Sequence, residues 1–274
     1  MIDSGFIPNA ARANGLGEAA IVLEPLPGTA GPGAFVGAAR AFYPASMIKV
    51  PIAAALAVMC ARGERSLDEP VRVSPGDVTA NDAPSPFVAG YVGTLGEAAR
   101  AMIAASDNVA TNVLIESLGR ERISTVCRAD YGLDGTVVRR KLSGALPLID
   151  DPAATGRNTH PPADAAALFA AIDRERTGRC RWLYDALLAQ IWNDKVPRGL
   201  HPGDVFAHKT GDTDDASHDG GLLELADGRR YVLVIYTDLA SSPESDGRIA
   251  AFTRTLRDAL GDERPAVATV PANP

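Results

Sequence analysis

The spacing of apolar residues changes twice along the 274-residue chain, and those changes divide it. Residues 18–24 form a short, almost unbroken apolar run closed by Pro25, Leu26, Pro27 and Gly28, which predicts a strand and a turn. Residues 33–42 predict a second strand. Residues 50–64 are apolar on nearly every helical face, the mark of a helix buried within the protein. Pro51 falls in or near its first turn, where a missing N–H costs least, and Gly63 supplies a stop. Residues 66–200 read mostly helical with proline-rich connections. Thr94 and Glu97 have capping-box spacing at the head of one helix, and residues 108–118 make another, closed by Gly119. Residues 164–173 and 182–192 resume helical spacing. Between them and the earlier helices, residues 139–162 have no period, and so long an irregular loop in a compact domain is usually functional. After Gly203 the spacing predicts three strands, 204–211, 220–228 and 229–239, with Asp227 and Gly228 as a tight hairpin turn. An amphipathic helix over 242–260 and a loose tail over 263–274 follow.

Strands at both ends with helices between them imply an α+β fold, an α/β sandwich. Its antiparallel sheet is drawn from both termini and flanked by helices. Residues 16–65 and 201–262 then form one α/β domain, and residues 66–200 an inserted all-helical domain. The length suffices for a real core. The composition is that of a globular protein: 46% hydrophobic, 22% charged, mean hydropathy near zero. A formal charge of -7 argues against nucleic acid or an anionic membrane as partner. Cys60, Cys127 and Cys180 have no ligand-like spacing, so neither a disulfide framework nor a metal site is expected. No leader and no apolar run of about 18 residues is visible, so no membrane span is expected. A cytoplasmic location fits the sequence as written. A mature periplasmic or secreted form with a new Met1 would read the same way.

Three short motifs carry the chemistry. Ser46 and Lys49 form the chain's one S-x-x-K spacing, Ser106, Asp107 and Asn108 follow in a predicted interhelical turn, and Lys209, Thr210 and Gly211 lie on a predicted strand. A serine hydroxyl is a poor nucleophile until a base takes its proton. One helical turn puts Lys49 on the same face as Ser46. Lys49 is a base only when neutral, so burial and a neighbouring cation must lower its pKa. Lys209 can supply that field and attract an anionic group. Ser106 can relay a proton to a leaving nitrogen, Asn108 can hold Lys49 and a substrate carbonyl, and Gly211 can let a peptide-like ligand approach the strand. Plainer readings exist. Ser46 and Ser106 could be helix caps, Lys49 a snorkelling side chain, Thr210 and Gly211 ordinary strand residues, while Asp107 reads as a backbone-bonding residue. Against them, Lys49 opens a wholly apolar segment, a costly place for an idle charge.

The order and context of the three motifs resemble the class A β-lactamases and penicillin-binding serine hydrolases. The resemblance runs over residues 18–260 and includes Asn158, Thr159, His160 and Pro161 ahead of a helix, similar to the family's threonine–proline segment. It implies the β-lactamase/D,D-peptidase-like fold, an acyl-enzyme on Ser46, no cofactor, a small-molecule or peptide-like acyl substrate, and a monomer. It also implies an oxyanion hole of the Ser46 and Asp212 backbone N–H groups, with Thr210, Gly211, Asp212 and Thr213 along the substrate.

The chain departs from the family in two places. Residues 139–162 contain no Glu, whereas efficient class A enzymes carry a deacylating Glu there. Asp150 and Asp151 are the loop's alternatives as the base, and His218, followed by Asp219, is a third. A turn-capping role for His218 is the plainer reading. The second departure is the acidic run Asp212, Thr213, Asp214, Asp215, which would repel a carboxylate unless some of it faces solvent or pairs with Arg198. The expectation is therefore a serine hydrolase acting on a β-lactam, amide or ester, β-lactamase-like with slow deacylation. A D,D-peptidase, an esterase or a glutaminase of the same fold shares this logic. A penicillin-recognising sensor, acylated without turnover, is the rival from another class.

Overall fold

A computed structural model describes residues 5–261. The expected tail, 263–274, lies outside them. Five strands form one antiparallel sheet in the order β2-β1-β7-β6-β5: β1 (Ala20–Pro25), β2 (Ala34–Val36), β5 (Val205–Thr213), β6 (Ala216–Glu224) and β7 (Arg230–Tyr236). The N-terminal strand enters beside the last one, with Ala20 opposite Tyr236 and Pro25 opposite Tyr231. The sheet is thus drawn from both chain ends, as the two clusters of apolar runs predict.

Alternation along the strands sorts the core into two layers. Ala20, Val22, Val232 and Val234 face helices α2 (Lys49–Ala61), α3 (Leu95–Ala104), α4 (Asn108–Leu118), α5 (Arg120–Tyr131), α6 (Pro162–Glu175) and α7 (Arg181–Leu188). Ile21, Leu23, Leu233 and Ile235 face α1 (Phe6–Ala13), α8 (Val196–Gly199) and α9 (Pro243–Leu260). Helix α2 is buried from Lys49 through Met59, which explains its apolar surface on all sides. A short ribbon, β3 (Pro70–Arg72) with β4 (Val92–Thr94), caps the helical region.

Several elements differ from the apolar pattern. The β3–β4 ribbon lies in the region expected to be all-helical, and β6 begins at Ala216 rather than at residue 220. Helix α1 has only two turns and buries Ile7, Ala10 and Ala11, too few repeats to register as a period. Strand β2 stops at Val36 because Gly37 turns the chain at φ 60° and its carbonyl accepts the N–H of Arg40 at 2.9 Å. The helix expected to reach residue 192 ends at Leu188, and the side chain of Gln190 then bonds the backbone of Ile103 at 3.0 Å.

Candidate active site

Ser46 lies in a 3-10 turn, Ala45–Ile48, that runs directly into α2. The turn starts from a strained residue: Ala45 has φ 47°, a left-handed conformation that costs a non-glycine residue on the order of 1–3 kcal/mol. Strand β5 packs against the same turn at Gly211. A Cβ there would come within 3.1 Å of the Pro44 carbonyl and 3.3 Å of the Ala45 Cβ. The close neighbour that Gly211 admits is therefore the turn carrying Ser46.

Lys49 is fully buried, and its Nζ has three partners: the Ser106 carbonyl at 2.6 Å, Ser106 Oγ at 3.0 Å and Asn108 Oδ1 at 2.8 Å. Ser106 offers both its carbonyl and its hydroxyl because its φ of 58° turns the chain between α3 and α4. Asp107 caps α4, accepting the Ala110 N–H at 2.8 Å, which is the structural role its sequence context suggested. Asn108 is held in turn by Asn81 and by the Ala80 carbonyl, to which its Nδ2 donates at 2.9 Å. Burial first, and the Lys209 charge second, pull the Lys49 pKa well below the usual lysine range. A neutral amine has two N–H donors and one lone pair. In the neutral form the Ser106 carbonyl and Asn108 Oδ1 take the two donors, and the lone pair meets the third partner, the Ser106 hydroxyl.

Lys209 is also fully buried, donating to the Thr210 carbonyl at 2.9 Å, and burial lowers its pKa to about 7. Above these two lysines opens a cleft of about 760 Å³. Ser46, Ser106, Asn108, Thr210, Asp212 and Thr213 line it. Its far wall is the loop after Lys141, which presents Leu142, Leu146 and Leu148.

Among the described residues the three candidate deacylation bases do not line the cleft. Asp150 is exposed. Asp151 pairs with Arg120 at 2.6 Å and accepts the Lys141 N–H at 2.7 Å, which anchors the loop. His218 is buried and stacked on Tyr236. Its Nε2 donates to the Tyr43 carbonyl at 2.8 Å and its Nδ1 accepts the Thr237 N–H at 3.1 Å. Burial lowers its pKa to about 4, so both ring nitrogens are committed in a neutral ring. Nor do His218 and Asp219 form a pair. Neighbours on a strand face opposite sides, and Asp219 instead meets His208 of β5 at 2.8 Å. Arg198, the expected partner of the acidic run, is replaced in that role by Lys195, whose Nζ donates to Asp212 Oδ1 at 2.5 Å.

Lys195 and Trp192 of the cleft wall were not picked out from sequence, because they sit in an irregular stretch that only folding brings to β5. Arg157, stacked over the Tyr43 ring at 4.2 Å, is another such residue. Gly144 of the loop is a third kind. Its N–H donates to Thr79 Oγ1 at 2.9 Å, and a Cβ would lie 1.9 Å from the Ala80 carbonyl and 2.9 Å from Asn108 Nδ2. Gly144→Ala is therefore expected to cost about 1–3 kcal/mol by overpacking. It should also slow acylation through Asn108, both read from urea melts and labelling rates.

The family model of the β-lactamase enzyme family matches residues 9–260. The chain belongs to that family. A mutant of PBP-A, solved as an acyl-enzyme complex with penicillin G, is 25% identical with TM-score 0.80. The match covers 93% of this chain and 96% of that one. A β-lactamase from Sphaerobacter thermophilus is 25% identical with TM-score 0.78, over 96% and 100% of the two chains. One from Desulfarculus baarsii shares the fold at 22% identity and TM-score 0.76, over 96% and 100%. No curated protein matches the chain. In this β-lactamase-type serine hydrolase, no helix among the described residues is long and apolar enough to cross a membrane.

Proposed function

We propose that the protein acts on a β-lactam, amide or ester through an acyl-enzyme on Ser46, and that deacylation is the slow step. The observation that carries this reading is the buried Lys49, in contact with the Ser106 hydroxyl and one helical turn from Ser46 in the cleft lining. In the forward step Lys49 Nζ takes the Ser46 proton as Oγ bonds the acyl carbon. The Ser46 and Asp212 N–H groups receive the charge on the carbonyl oxygen. Ser106 then passes the proton from Lys49 to the leaving nitrogen or oxygen as the acyl bond breaks. Water must finish the cycle by attacking the ester. The loop that faces it carries Leu142, Leu146 and Leu148, and no carboxylate of residues 139–162 lines the cleft among the described residues.

The lack of a loop carboxylate in the described cleft lining also favours the second reading, a penicillin-recognising sensor that stays acylated. Intact-protein mass after mixing with a penicillin, alongside turnover of a chromogenic cephalosporin, separates the two. A stoichiometric adduct that decays slowly is expected, and Ser46→Ala should carry none. Adduct on the Ser46→Ala protein would overturn the mechanism. Turnover without a detectable adduct would show that deacylation is fast.

A further inference from the structure

We propose that Asp212 occupies a carboxylate-binding subsite of the cleft, so that the protein favours acyl donors that are neutral at that position. The inference rests on the acylation proposed above and names the substrate class for it.

Lys195 precedes α8 and is only 3% exposed, yet it forms part of the cleft wall. Its Nζ donates to Asp212 Oδ1 at 2.5 Å and to the His218 carbonyl at 3.1 Å, with the Asp246 carboxylate at 3.8 Å. Ser241 Oγ donates to the same Asp212 oxygen at 2.7 Å. An ammonium and a hydroxyl thus converge on one carboxylate oxygen inside the cleft, the donor set that holds a carboxylate ligand well. The carboxylate that fills it belongs to the chain. Asp212 directly follows Gly211 on the strand along which a substrate would lie, so it competes from within the site.

Lys209, the cation on that strand, is no substitute. Lys209 lies beneath the cleft lining and donates to the Thr210 carbonyl. Asp82, Asp194, Asp214 and Asp215 also line the cleft, and Arg157 is the other basic residue in its lining among the described residues. A substrate carboxylate must therefore displace Asp212 from Lys195 and meet like charge while doing so, which disfavours binding. A neutral ester or amide meets neither obstacle.

Benzylpenicillin and its methyl ester test this, because they share the reacting lactam and differ in one charge. Second-order labelling of Ser46 is followed by intact mass in the wild type, in Asp212→Ala and Asp212→Asn, and in Asp214→Asn, with thermal melts checking that each is folded. Asp214→Asn removes the same charge from the cleft without touching Lys195. The wild type should label faster with the methyl ester. Both Asp212 variants should shift the ester-to-acid ratio toward the acid by about ten-fold, equivalent to about 1.4 kcal/mol. Asp214→Asn should shift that ratio far less, because it leaves Lys195 engaged by Asp212. Free acid labelling the wild type as fast as its ester, or Asp214→Asn shifting the ratio as far as Asp212→Ala, would overturn the inference alone. Neither adduct nor turnover with either compound on any variant would overturn the acylation reading, and the inference with it.

Discussion

Lys49→Met is expected to slow labelling of Ser46 by about 10²–10⁴-fold, the range general-base catalysis contributes. Methionine keeps the volume and suits the apolar surroundings of α2, so the variant should stay folded. Lys49→Arg should fail as well, because a guanidinium does not give up its proton near neutral pH. The two variants together separate loss of charge from loss of a base. The wild-type pH profile supplies a third readout. Both lysine pKa values are lowered, so each side chain is neutral above its own value. Acylation needs Lys49 neutral, and its rate should rise as pH climbs through the depressed Lys49 value. Above about 7 Lys209 loses the charge that helps to lower Lys49, so the rise should flatten there. Labelling rates measured against pH would show the rise and its flattening. A rate indifferent to pH, or full activity in Lys49→Arg, would rule out this division of roles.

The groups beneath the cleft were legible in sequence because each sits on a periodic element. Ser46 and Lys49 are tied by one helical turn, and Lys209 is marked by the Lys209, Thr210, Gly211 motif on β5. Pattern fails where the chain is irregular. Lys195 and Trp192 lie between α7 and α8, and Arg157 in the long loop, so nothing local marks them as neighbours of β5. Adjacency misleads in a different way. His218 and Asp219 stand side by side in the sequence, but the pleat turns them to opposite faces. Antiparallel register, with Thr210 opposite Asp219 and His208 opposite Gly221, sets His208 diagonally across from Asp219. Helices α2, α3, α4, α6, α7 and α9 were found from their apolar faces and caps, whereas α1, α5 and α8 were not individually marked. The strength of the site's electrostatics was not legible either, since it depends on how many carboxylates folding gathers around one ammonium.

Arg257→Met should destabilise the fold by about 3–5 kcal/mol, the cost of leaving one partner of a buried ion pair alone. Arg257 is 1% exposed on α9, and its Nε and Nη2 donate to both Asp204 oxygens, at 2.7 and 3.2 Å. Asp204 also accepts the N–H groups of His201 at 2.9 Å and Ala226 at 2.9 Å, so one carboxylate ties α9 to the chain entering β5 and to the turn after β6. Burial pushes its pKa up, but the guanidinium and the two N–H groups outweigh that and hold it below the usual carboxylate value. The linkage sign follows. A depressed native pKa stabilises the fold above the unfolded value of about 3.9, and that share is lost as pH falls through the native value. In Arg257→Met the onset of acid unfolding should move to higher pH. Against a typical total stability of about 5–15 kcal/mol the loss is large. Adding Asp204→Asn to Arg257→Met should recover part of it, since the stranded charge is then gone. Urea midpoints for the wild type, both single variants and the double variant complete the cycle. A single variant within about 0.5 kcal/mol of wild type would mean the pair is a bystander and that apolar packing of α9 alone holds that face of the sheet.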